Sequence, residues 1–294
     1  MVRNESIDTL KGILIILVIV GHVLLGTLDE NILRYVIYSF HMPVFFFISG
    51  YLISLQKIRS ITPKELMAKY WKRMLLPWLI ALFLYSFVLS VTHFTPIEFV
   101  KRLLHPYYHL WYVPTLFAFI ILIWMISHIK ERTLSIILAV ALGLILDKML
   151  VEEGCLRMTY FIYFYLGVLA KDVDLKLQNR YGGGIFVMLI ISVSLLSAYG
   201  IGIKFYRENL RLPFMLIVCL LSFLPVILRS KFKSALLGYI GVHSLEIYLW
   251  HVLPIMVLKY LFKDTEPQYL YYSLAFGMIF IMLGAIQIKI KLSA

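Results

Sequence analysis

Charge is scarce in this chain. Only 15% of its 294 residues are Asp, Glu, Lys or Arg, where soluble domains carry about 25%. Hydrophobic residues reach 62%, and a globule of this size cannot hide that much apolar surface from water, which excludes an ordinary soluble domain. Disorder is excluded by the same surplus. The apolar runs are continuous rather than alternating, a poor match for an outer-membrane barrel. Cysteine is nearly missing: two residues build no disulfide framework. Cys219 lies within an apolar run and reads as packing, and Cys155 receives no role. Acids are few as well, 16 against 28 basic residues, so the net charge is +12. On a soluble protein that balance would point to nucleic acid. On a chain this apolar it points to the cytoplasmic leaflet of a bilayer, with no nucleic-acid partner.

What is present is a series of apolar runs of spanning length. They fall at 9–28, 33–55, 74–92, 111–128, 133–150, 158–171, 183–202, 211–228, 236–262 and 269–288. The expected fold is therefore all-α: a polytopic integral membrane protein with about ten transmembrane helices, forming one domain over residues 1–294. The first run is read as a retained helix, because it is longer than a leader's apolar core and carries Asp8, Lys11 and His22. With ten spans both termini share one side. Placing them in the cytoplasm puts 18 of the 28 basic residues on inner segments, so both ends are expected inside.

Ionisable residues within a bilayer are costly and mark function. Lys11 and His22 are eleven residues apart, which on a helix leaves them about 20° from alignment and roughly 16 Å apart along the axis. Asp8 lies about 40° off the same line. One stripe of helix 1 thus carries an acid, a cation and an imidazole. The alternative is that Asp8 and Lys11 anchor at the interface while His22 bonds a backbone carbonyl. His41, in FHMPVFFFISGY (40–51), is nearly symmetric with His22 about the turn at Glu30 and Asn31. Antiparallel helices would hold both imidazoles at one depth. Pro43 frees a nearby carbonyl. SLEIYLWH (244–251) adds Glu246 and His251, and HLWYVP (109–114) places Trp111 and Tyr112 at the outer interface, where an aromatic belt is the commoner use. In KYWKRMLLP (69–77), Lys69, Lys72 and Arg73 stand just before helix 3 at helical spacing. They serve as a topology signal or as a grip on a phosphate-rich ligand. Gly182–Gly184 follows no strand and reads as the start of helix 7 rather than a phosphate loop. Three histidines without accompanying acids or thiols give no metal site.

Lys11-x10-His22 resembles the basic-x10-His signature of the membrane-bound acyltransferase 3 family. IDTLKGILIILVIVGH, YSFHMPVFFFISGYL, LWYVPTLF, YFIYFYLGVLAKD and GYIGVHSLEIYLWH resemble that family's blocks, in its order, over nearly the whole chain. The resemblance implies a bacterial inner-membrane O-acyltransferase that moves an acetyl or other short acyl group from cytoplasmic acyl-CoA to a hydroxyl of a cell-surface glycan. It implies catalytic roles for His22 and Lys11, with Asp8 as partner of the lysine. The family's Arg-x-x-Arg element maps onto Lys69-x-x-Lys72, with Arg73 adjacent, as the acyl-CoA grip. Lysine at both positions departs from that pattern, since bidentate phosphate contacts favour Arg. His41, Trp111, Glu246 and His251 fall to the acceptor or its cavity. No cofactor is expected to stay bound; acetyl-CoA or another acyl-CoA is donor substrate, and self-association stays open. The extra extracytoplasmic domain of some members is expected to be absent after helix 10; where its chemistry is needed, a separate protein must supply it. The competing class is a transporter or flippase for a sugar or glycolipid, in which buried His, Glu and Lys form a path. No inverted repeat or pair of broken helices supports it.

Overall fold

The computed structural model describes residues 5–28, 30–89, 95–129, isolated positions from 131 to 145, 156–170, 233–262 and 268–293. The expected spans 183–202 and 211–228 lie outside the described residues, as does most of 133–150. Among the described residues all regular structure is helical. Three helices are long and apolar enough to cross a membrane: Glu5–Val23, Pro63–Leu89 and Ser244–Phe262. Shorter apolar helices cover Tyr112–Ser127, Met158–Ala170 and Tyr269–Ile281. The chain divides into two compact units, one of residues 1–45 and 174–294, the other of residues 46–173.

The first unit contains α1 (Glu5–Val23), most of α2 (Ile32–Tyr51), and the later helices. For those the labels are α9 (Ala235–Val242), α10 (Ser244–Trp250), α11 (Val252–Phe262) and α12 (Tyr269–Ser293). α1 is buried along much of its length; Ile15 and Ile19 are fully enclosed. Its contact with α9 is backbone to backbone. A side chain on Gly12 would collide with the Leu237 carbonyl, and one on Gly241 with the Asp8 carbonyl. Small residues let apolar helices approach this closely, where lipid gives no hydrophobic drive to association. Thr9 reinforces the join: its hydroxyl accepts the Ser234 N–H at 3.2 Å and donates to the Glu5 carbonyl at 2.8 Å.

The expected span 236–262 is helical but interrupted at His243 and His251. The second interruption has a covalent cause. Pro254 has no N–H, so the Trp250 carbonyl lacks its donor one turn later.

The second unit holds the end of α2, α3 (Leu55–Arg59), α4 (Pro63–Tyr70), α5 (Leu76–Leu89), α6 (Pro96–Leu104), α7 (Tyr112–Ser127) and α8 (Phe161–Ala170). α2 and α8 cross on reciprocal glycines: Gly50 lies on the Phe164 carbonyl and Gly167 on the Phe47 carbonyl. Around them Phe46, Phe119, Phe161, Phe164 and Tyr163 are fully buried.

Helix 3 begins earlier than the expected residue 74. Thr62 and Glu65 form a reciprocal capping box, Pro63 opens the helix, and it continues to Leu89 through a π-helical turn at Trp71–Leu75. α6 is a further helix not expected from the apolar runs; the Thr95 side chain accepts the Glu98 N–H, and Pro96 stands at its first position. It buries no residue, and Ile97, Val100 and Leu104 are exposed.

Candidate active site

The first unit brings three of the expected residues together. His22 ends α1, and the smallness of the preceding Gly21 admits the Tyr38 ring from α2, which lies in close contact with it. Tyr38 Oη is 3.3 Å from His22 Nδ1. The His22 ring meets the Tyr38 ring edge to face at 5.8 Å and the His251 ring at 5.1 Å. Tyr38 in turn meets His41 at 5.1 Å. Tyr38 thus stands between two histidines, and His22 stands between Tyr38 and His251.

The two buried histidines share one arrangement. His41 is 4% exposed and His251 1%. His41 Nδ1 is 2.6 Å from the Ile37 carbonyl, and His251 Nδ1 is 2.8 Å from the Tyr248 carbonyl and 3.1 Å from that of Ile247. A carbonyl only accepts, so in each ring Nδ1 carries the hydrogen and donates. In the neutral ring this leaves Nε2 as the lone-pair nitrogen.

The chain end that carries His22 is held unusually well. Four successive carbonyls after it each accept from a different side chain. Tyr271 Oη donates to Val23 at 2.6 Å, Lys259 Nζ to Leu24 at 3.4 Å, Asn31 Nδ2 to Leu25 at 3.1 Å, and the Arg34 guanidinium to Gly26. Val23 is the last residue of α1 and the other three follow it, so the bonds hold both the helix end and the turn that leaves it.

At the other end of α1, Lys11 Nζ is 3.8 Å from Asp8 Oδ1, with both side chains mostly enclosed. Glu246 stands apart from the histidines' ring contacts. It is 44% exposed and faces His243 Nδ1 at 3.6 Å.

The remaining expected residues belong to the second unit. Lys69, Lys72 and Arg73 are exposed on the helix itself rather than in a loop before it, and the π-helical turn runs through Lys72 and Arg73. Lys69 Nζ lies 5.3 Å from the Tyr70 ring centre. Trp111 stacks on Tyr160 at 5.6 Å and 19°, and the Arg157 guanidinium covers it at 4.8 Å. The adjacent Tyr112 is buried, with its hydroxyl 3.2 Å from Ser49 Oγ. Among the described residues no group of His, Cys, Asp or Glu is arranged to hold a metal.

Tyr38, Arg34, Lys259 and Tyr271 were not singled out from the sequence. For two of them a signal was present: Arg34, Tyr38 and His41 are spaced four and three residues apart, one face of a helix.

Apolar spanning helices enclosing ionisable side chains define an integral membrane protein with a polar site inside it. The chain belongs to the acyltransferase 3 family: the family described as acyltransferase domain matches residues 4–288. A shorter stretch is similar to the nodulation protein NolL of Sinorhizobium fredii (strain NBRC 101917 / NGR234), 46% identical over 59 residues. That match covers 18% of this chain and 16% of NolL. No solved structure matches.

Proposed function

We propose that the protein is a membrane O-acyltransferase that moves an acetyl or other short acyl group from acyl-CoA to a hydroxyl of a cell-surface glycan. The observation that carries this reading is the contact of His22 with Tyr38 and His251 at a rigidly capped helix end. An alcohol needs a base to attack a thioester, and neutral imidazole is the usual one near pH 7. Tyr38 Oη engages His22 Nδ1 at 3.3 Å, and the base assigned to the reaction is the ring's other nitrogen, Nε2. As the hydroxyl oxygen bonds the thioester carbon, its proton passes to Nε2. The C–S bond then breaks, and the proton passes on to the departing CoA sulfur. Product is an ester and free CoA, with no net oxidation or reduction. His41 and His251 line the acceptor side, and Glu246 holds the segment leading to His251.

Lys11, paired with Asp8, takes the donor side. Its distance from His22 along α1, roughly 16 Å, suits donor binding better than contact with the oxyanion. Lys69, Lys72 and Arg73 contact the phosphates of CoA as point charges. The donor enters from the cytoplasm of a bacterial cell, with both termini on that side of the inner membrane. Purified protein should release thiol from acetyl-CoA in the presence of a glycan acceptor, and a deletion strain should yield glycans lighter by the mass of the acyl group. Absence of both effects would refute the assignment.

A further inference from the structure

The end of α1 is surrounded by more positive charge than capping requires. A helix C-terminus carries about half a unit of negative charge. Two full cations, Arg34 and Lys259, sit on the Gly26 and Leu24 carbonyls, just past its last residue Val23. The nearest described acid, Glu30, is engaged locally. Its carboxylate accepts the Thr27 N–H at 2.7 Å, and that contact holds it below the usual carboxylate range. Even counting Glu30 in full, about half a positive charge remains. Among the described residues no ion pair joins Arg34 or Lys259 to a carboxylate.

Donors are also in surplus. A guanidinium has five N–H groups and an ammonium three. The bonds to the Gly26 and Leu24 carbonyls take one from each side chain. Arg34 Nε is buried and has no hydrogen-bond partner. The guanidinium carbon lies 5.3 Å from the Tyr38 ring centre, and Tyr38 Oη is 3.3 Å from His22 Nδ1. A guanidinium with donors to spare, its Nε among them, therefore stands beside the tyrosine that contacts the proposed base. Planar forks of this kind match phosphate and carboxylate.

We infer that Arg34 and Lys259 form a receptor for an oxyanion, a phosphate or carboxylate carried by the acceptor, and hold it one tyrosine ring from His22. The inference rests on the acyl-transfer reading for the identity of the acceptor. An anionic lipid headgroup offers the same chemistry, so the test separates the two sources.

The full chain in neutral detergent is unfolded thermally, without acyl-CoA, in glucose 1-phosphate, glucuronic acid or glucose at one ionic strength. A parallel series adds phosphatidylglycerol or phosphatidylcholine. The two anionic sugars should raise the wild-type midpoint by about 2–4 °C at saturating concentration, and glucose should not. The pair Arg34→Gln with Lys259→Gln should lose that rise, while the charge-keeping pair Arg34→Lys with Lys259→Arg should retain it. No rise in wild type, an equal rise with glucose, or loss in both paired variants would overturn the receptor. A full rise with phosphatidylglycerol and none with the sugars would overturn the assignment to the acceptor. Because no acyl donor is present, failure here is distinct from failure of thiol release from acetyl-CoA.

Discussion

Tyr38 touches His22 through its hydroxyl and His41 through its ring edge. Tyr38→Phe removes the first contact and keeps the second. Acyl transfer should fall by about tenfold, the equivalent of one net hydrogen bond. The pH–rate profile should shift as well, because the hydroxyl hydrogen-bonds the imidazole proposed as the base. A purely packing role would leave the profile where it is, so rates measured across pH decide the matter.

His22→Ala should abolish transfer, since it removes the imidazole proposed as the base, which meets both Tyr38 and His251. The variant should still insert and unfold at a midpoint near wild type, because the capping of α1 at Val23 to Gly26 involves other side chains. Substantial remaining activity in a folded His22→Ala protein would remove the proposed base.

The helical membrane character was legible because it follows from bulk composition; His22 and His41 were legible as candidates from their placement about one turn, whereas Tyr38, whose ring meets both, was not. Helix boundaries were less legible. Lys69, Lys72 and Arg73 break the apolar run, yet the helix start is set upstream by Thr62, Pro63 and Glu65. The same pattern at Thr95, Pro96 and Glu98 starts α6, whose nine residues are too short to register as a span. The break at His251 was hidden because Pro254 acts on a carbonyl four residues earlier. Lys259 and Tyr271 are reached only through folding: each bonds a carbonyl more than two hundred residues away in sequence.

Gly12 and Gly50 should tolerate no side chain. Each faces a carbonyl on a crossing helix, so Gly12→Val or Gly50→Val must push backbones apart. Overpacking of this kind costs about 1–3 kcal/mol, and thermal unfolding in detergent should show it. Gly277 is the internal control, with open space where a Cβ would stand. Gly277→Ala should be neutral or stabilising by roughly 0.5–1 kcal/mol, as expected for a helical glycine. Equal losses at all three positions would mean that close helix approach is not what fixes these glycines.

Charge reversal tests the basic segment. Lys69, Lys72 and Arg73 are exposed on one helical stretch with a π-helical turn through its middle. Such turns occur disproportionately at functional sites. No ion pair among the described residues engages them, so their charge is available to a ligand. CoA is the most anionic partner in the proposed reaction. Lys69→Glu, Lys72→Glu and Arg73→Glu together should therefore weaken acyl-CoA binding, while glucose 1-phosphate should still raise the thermal midpoint as in wild type. Added salt should weaken donor binding to the wild type and have less effect on the triple variant, since exposed charges are screened over about 10 Å at 0.1 M. Titration of acyl-CoA at two ionic strengths measures both effects. Unchanged donor affinity in the triple variant would leave these residues only the task of orienting the chain in the membrane.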